Sequence, residues 1–250
     1  MRYGICPISI APLRAEASDK SELVSQVLYG EIFKIIEPRK SWSRIRLAHD
    51  KYEGWIDNKQ LREIESEDYH SIHQLPKSYC TDLISHVTHE DGSLSTICIG
   101  AQISSSAFLG DTFNGEYHDF AEIEKSKIVE NSLLFLNTSY LWGGRNPLGI
   151  DCSGFTQLVY RLNGHSIPRD ASQQANIGEA LSFIEESEPG DLAFFDNKEG
   201  LITHVGVVMQ DNYIIHAHGK IRIDRLDQSG IFNVESNSHT HKLRVIKKII

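Results

Sequence analysis

The chain is poor in several features that would assign it to a special class. Its 250 residues hold four cysteines, Cys6, Cys80, Cys98 and Cys152, with no C-x-x-C pair among them. A disulfide framework needs dense, paired cysteines, and cysteine-based zinc sites need close pairs, so neither organises this chain. No metal and no cofactor is expected. There is no long apolar run, so no membrane span is expected either. The opening stretch MRYGICPISIAPLRAE is broken by prolines and lacks a small-residue cleavage site, which argues against an export signal. A cytoplasmic protein with reduced thiols is the expectation. Lys and Arg (25) are outnumbered by Asp and Glu (34), and the basic residues are scattered over a chain of net charge −9. Such a surface cannot follow a phosphate backbone, which removes nucleic acid from the partners.

What is there is organised in modules. From Pro7 to about Ile64 the runs EIFKII, WSRIRL and YEGWID are strand-length and rich in β-branched and aromatic residues, which predicts a small β-barrel over 1–64. Residues 65–120 carry strand-like runs and two turn signals, Asp91-Gly92 and Asn114-Gly115, and read as a second β module or a decorated linker. Residues 121–250 differ. An amphipathic helix is predicted in FAEIEKSKIVENSLLFLNTS, and further helices after Cys152 and over ASQQANIGEAL. Strand-like runs DLAFFD, ITHVGVVM, NYIIHAH, IRIDRL and LRVIKKII follow. Helices first and an antiparallel sheet afterwards define an α+β domain.

The helix after Cys152 carries the chemical signal. Phe155, Leu158, Val159 and Leu162 form one apolar stripe, Asp151 can cap its start, and Asn163-Gly164 can close it. A thiol in the first turn feels the positive end of the helix dipole, which favours the thiolate. The competing reading is a small buried apolar residue. A nucleophilic cysteine needs a base and a group that orients it. His204 and His216 lie on two strand-like runs joined near Gln210, and a hairpin centred there pairs 204 with 216 on one face. His218 shares their parity and competes for the orienting role. The histidines of the middle and the tail, including His239 and His241, are expected to be satisfied core or surface residues without a catalytic role.

The string Leu13-Arg14, Ser25, Gly30, Trp42, Ile45, Gly54-Trp55-Ile56 resembles bacterial SH3-like (SH3b) domains. Asp151-Cys152-Ser153-Gly154-Phe155, His204-Val205-Gly206 and Ile215-His216-Ala217, with YLWGG before and PGDLAFF between, resemble the NlpC/P60 cysteine peptidases over roughly 122–245. The resemblance implies a papain-like catalytic domain behind one or two SH3-like barrels. Cys152 is then the nucleophile, His204 the base and His216 its orienter. The SH3b front end and the segment IPRDASQQ resemble those of the γ-D-glutamyl-L-diamino acid endopeptidases. That group implies a murein peptide as partner, cleaved after L-Ala-γ-D-Glu, in the recycling of wall peptides. It also places Tyr140, Asp151, Ser153, Asp170, Glu16 and Tyr52 on the substrate, with Asp170 and Glu16 facing its ammonium. The rival classes are an endopeptidase of linked peptidoglycan, a non-catalytic wall-peptide binder, and a thiol acyltransferase, which would want an apolar groove.

Overall fold

The computed structural model of the chain describes residues 1–119 and 124–250. It divides into two compact units, Met1–Ala121 with Trp142–Pro147, and Glu122–Leu141 with Leu148–Ile250.

In the first unit, strands β1 (Arg2–Ile5), β2 (Ile10–Arg14), β3 (Leu23–Leu28), β4 (Ile32–Pro38), β5 (Trp42–Leu47), β6 (Glu53–Asp57) and β7 (Arg62–Ile64) form one sheet. Its order is β3-β2-β6-β5-β4-β1-β7, with antiparallel neighbours. The alternation in β5 shows why. Ser43, Ile45 and Leu47 point into the core, whereas Arg44 and Arg46 face out and both reach Glu53 of β6. The core gathers Cys6, Ala11, Leu13, Val27, Phe33, Ile35, Ile45, Leu47 and Ile56.

The chain continues through α1 (Ser66–Gln74), β8 (Ser78–Cys80), β9 (Ile84–Thr88), β10 (Leu94–Cys98), α2 (Ser106–Leu109), β11 (Thr112–Phe113) and β12 (Tyr117–Asp119). Asp91-Gly92 turns β9 into β10 as a hairpin, with Gly92 at φ 82°. Asn114-Gly115 does not make one, because β11 pairs with β9 and β12 with β8. A second core of Tyr29, Cys80, Val87, Ile97, Ala101 and Ile103 ties these pieces to the barrel. The Tyr29 hydroxyl donates to Asp111 at 2.6 Å, and Asp111 also holds His89.

The excursion Trp142–Pro147, which includes β13 (Arg145–Asn146), is anchored in the same unit. Arg145 is buried against Glu31, its backbone N–H donates to Gln26 at 2.6 Å, and Trp142 donates to Glu22 at 2.7 Å.

The second unit contains α3 (Ser126–Leu133), β14 (Gly149–Ile150), α4 (Cys152–Leu162), α5 (Ala171–Gln174) and strands β15 (Glu179–Leu181), β16 (Leu192–Asp196), β17 (Ile202–Val208), β18 (Tyr213–His218), β19 (Lys220–Asp227), β20 (Gly230–Asn233) and β21 (Ser238–Lys248). Their order is β15-β21-β16-β17-β18-β19-β20, and β21 also pairs with β20. The long β21 is therefore shared between β16 and β20, and the strands from β16 to β21 close on themselves as a six-stranded barrel.

The α+β expectation holds, with two local corrections. The helix predicted over 120–139 spans only Ser126–Leu133 among the described residues; 120–123 lie outside them, and Leu133, Leu134 and Leu136 are exposed. The helix predicted over 171–181 stops at Gln174. Gly178 takes φ +71°, and Glu179–Leu181 are drawn into the sheet beside β21, so strand pairing overrides helix propensity.

Candidate active site

The site begins at the first turn of α4. Asp151 caps the helix, accepting from the Gly154 N–H at 2.6 Å. Both its oxygens are also bound by the buried Arg169 guanidinium, at 3.0 and 2.6 Å, and the same guanidinium donates to the Ser153 hydroxyl at 2.9 Å. This two-toothed clamp fixes the turn that carries Cys152. Gln174 of α5 adds a bond to the Ser153 carbonyl at 3.0 Å.

The thiol itself differs from the sequence expectation. Burial pushes the Cys152 thiol up to about 12, and the neighbouring Asp151 charge pushes the same way. Hydrogen bonding from the Val205 and Ser153 backbone and the charge of Arg169 oppose this without reversing it. The helix dipole loses to desolvation, so the resting group is a thiol. Burial raises half-buried Tyr140 to about 12, with the Asp151 charge pushing the same way. The other three cysteines are buried free thiols as well.

The histidines converge on one sheet face. The register differs from the expected hairpin: His216 pairs with Gly206, not with 204. The loop after Val208 is longer by two residues, with Asp211 and Asn212 both left-handed (φ 57° and 59°) and Met209 N–H donating to the Tyr213 carbonyl at 2.8 Å. A slip of two preserves parity, so His204 and His216 still share a face. Their rings meet diagonally, with Nε2 of His204 2.9 Å from Nδ1 of His216. A side chain at Gly206 would come within 2.8 Å of the His216 Cβ, so glycine admits this approach.

A residue absent from the sequence reading completes the chain. Asp224 of β19 lies diagonally across from His216, and its Oδ2 is 3.0 Å from the His216 Nε2. Arg222 donates to both Asp224 oxygens, at 2.7 and 3.1 Å, and to Glu235 at 3.0 Å. Burial works upward on Asp224, but the bonds from His216 and Arg222 outweigh it and hold the carboxyl below its usual range. An ionised Asp224 accepts from Nε2–H of His216. His216 Nδ1 then carries a lone pair and accepts from Nε2–H of His204, which leaves the His204 Nδ1 free to take a proton. Burial lowers both imidazoles, His204 well below the ordinary histidine value with help from His216, His241 and His218. Both are neutral bases at rest.

His218 is exposed, and its ring lies 6.2 Å from that of His216. His241 is the larger surprise. It does not stand apart on the tail: on β21 it stacks on His204 with ring centres 4.1 Å apart. The signal was the alternating SHTHKL, read as a polar tail because nothing local reveals barrel closure.

Asp170 sits at the start of α5 with its carbonyl accepting from the Gln173 and Gln174 N–H groups. Glu16 and Tyr52 belong to the first unit. Glu16 is exposed in the turn after β2, its N–H donating to the Ser21 hydroxyl at 2.9 Å, and Tyr52 packs on the barrel core.

A capped helix-start thiol and a buried histidine pair on an adjoining sheet are the kinds of group a cysteine peptidase uses. Residues 137–237 match the NlpC/P60 family, and residues 13–61 match the bacterial dipeptidyl-peptidase Sh3 domain. The chain is 28% identical over 215 residues to a Gamma-D-glutamyl-L-lysine dipeptidyl-peptidase of Bacillus subtilis (strain 168), which covers 77% of this chain and 71% of the relative. It is also 28% identical over 263 residues to Dipeptidyl-peptidase 6 of Lysinibacillus sphaericus, 88% and 90% of the two chains. The crystal structure of an NlpC/P60 family protein from Bacillus cereus ATCC 10987 shares the fold, with a TM-score of 0.76 over 99% of both chains at 18% identity. The chain thus carries an NlpC/P60 domain behind a bacterial SH3 domain, and its dipeptidyl-peptidase relatives are consistent with a cysteine peptidase.

Proposed function

We propose that the protein is a dipeptidyl-peptidase that hydrolyses the bond between γ-D-Glu and a diamino acid in peptidoglycan-derived peptides with a free N-terminal L-Ala. It releases L-Ala-γ-D-Glu and serves the recycling of wall peptides in the cytoplasm. The observation that carries the substrate class is similarity along most of the chain, Sh3 domain included, to dipeptidyl-peptidases. For the chemistry, the support is the hydrogen-bonded series His204, His216, Asp224 in the domain that carries Cys152.

In this reading His204 takes the Cys152 proton as sulfur attacks the γ-glutamyl carbonyl, and returns it to the leaving amine. Because thiol and imidazole both rest uncharged, the ion pair forms only on attack. Backbone N–H groups at the start of α4 and the Tyr140 hydroxyl steady the oxyanion. Water then hydrolyses the thioester. Asp151 and Ser153 serve the substrate by way of Arg169, keeping the first turn of α4 in place. Asp170 is the carboxylate of the catalytic domain assigned to the substrate's ammonium, where a free amine needs a counter-charge.

The test is mass spectrometry of products from L-Ala-γ-D-Glu-L-Lys and its meso-diaminopimelate counterpart. The dipeptide and the free diamino acid are expected with wild type and neither with Cys152→Ala. Release of free alanine, or cleavage by the Ala variant, contradicts the assignment.

A further inference from the structure

One ring nitrogen from each of His204, His216 and His241 lies within 4.8 Å of the others. Two of these imidazoles belong to the proposed base system; the third, on β21, has no part in it. We propose that the three form a binding site for a divalent transition metal of the zinc type, and that occupancy switches the peptidase off.

Three features support it. Imidazole nitrogens are good ligands for zinc and its neighbours, and three of them with an open fourth position is a familiar donor set. Tetrahedral bonds of about 2.0–2.1 Å place ligand nitrogens roughly 3.4 Å apart. The His204 and His216 nitrogens, 2.9 Å apart, part slightly to reach this spacing, and the His241 nitrogen, within 4.8 Å of them, moves in. Second, metal-binding histidines usually give their other N–H to a carboxylate, and Asp224 already accepts from Nε2 of His216. Third, His241 is only partly buried, and the exposed His218 ring stands 4.9 Å from it, so an ion has a path from solvent lined by imidazole.

Inhibition follows from proton accounting. Coordination takes the lone pair at Nε2 of His204, which in the peptidase carries the proton given to His216. That proton moves to Nδ1 of the same ring. Nδ1–H is then a donor, and His204 can no longer accept the Cys152 proton. No proton is gained or lost and nothing is oxidised. This consequence rests on His204 being the base, whereas metal binding does not.

The experiment uses the full chain and metal salts alone. Zn²⁺ affinity is measured by competition with a chromophoric indicator, Co²⁺ spectra report the donors, and Zn²⁺ inhibition of peptide hydrolysis is expressed relative to each protein's own metal-free rate. Wild type should bind one equivalent, and its Co²⁺ complex should lack a thiolate charge-transfer band. Cys152→Ser should keep the affinity. His241→Gln should lose at least about 10- to 100-fold in affinity, with inhibition weakened in parallel. The proposal is overturned if wild type does not bind Zn²⁺, if the Co²⁺ spectrum shows thiolate ligation, or if Cys152→Ser loses the site while His241→Gln keeps it. The Co²⁺ spectrum of wild type decides the matter even if a variant misfolds. Stoichiometric binding without inhibition would keep the site, overturn the switch and count against His204 as base.

Discussion

The chemistry at residue scale turns on burial outweighing the helix dipole. Cys152 stands where a dipole favours thiolate, yet its thiol is raised to about 12, and His204 is lowered well below the ordinary histidine value. Two consequences have definite signs. Below a pKa near 12 the thiolate fraction falls about tenfold per pH unit, so iodoacetamide should alkylate Cys152 faster at each step from pH 7 to 10 without levelling. A plateau near neutrality would mean a resting ion pair. A base with a lowered pKa stays unprotonated in mild acid, so the acid limb of kcat/KM should fall below pH 6.5. Asp224 fixes the His216 tautomer from a distance. Asp224→Asn should cut kcat by on the order of 10²- to 10⁴-fold with little change in KM, as expected when a positioning carboxylate is lost. An equal loss in KM would assign Asp224 to the substrate instead. The helix start at Cys152 and the shared face of His204 and His216 were legible in the sequence because their patterns are local. Arg169, Asp224 and His241 were not, because each acts through a partner on another element.

Among the elements, helix α4 was read end to end from its stripe, its Asp151 cap and the closing Asn163-Gly164. Strand faces were legible too, since period two survives a slip of two. The register was not, because it depends on the left-handed pair Asp211-Asn212, which no apolar pattern marks. Helix α5 was overestimated because β15 pairs with a strand some seventy residues away. The β17 and β18 pair makes a test of its own. In Gly206→Ala the added carbon would meet the His216 Cβ and the Ile214 Cδ1, both at 2.8 Å. Overpacking of this kind should cost about 1–3 kcal/mol in denaturant unfolding and remove most of the activity by displacing His216. Full activity would show that the His204 and His216 contact is dispensable.

For the whole molecule, the order of helix-like and strand-like runs announced an α+β domain behind a β-barrel, and the resemblance of their motifs supplied the names NlpC/P60 and SH3-like. Neither announced that the second sheet closes through β21, or that Trp142–Pro147 returns to the first unit. That excursion is pinned by Arg145 on Glu31, a pair 114 residues apart whose meaning exists only in the folded chain. No helix among the described residues is long and apolar enough to cross a membrane. The central claim is that Cys152 chemistry is applied at a fixed distance from a free amino end. Its most direct test compares kcat/KM for L-Ala-γ-D-Glu-L-Lys and the same peptide acetylated on its alanine nitrogen. Loss of a charge-assisted hydrogen bond, about 1.5–3 kcal/mol, should lower the acetylated value by roughly ten- to a hundredfold. Equal values for the two peptides would contradict the account and make the protein an endopeptidase of linked wall.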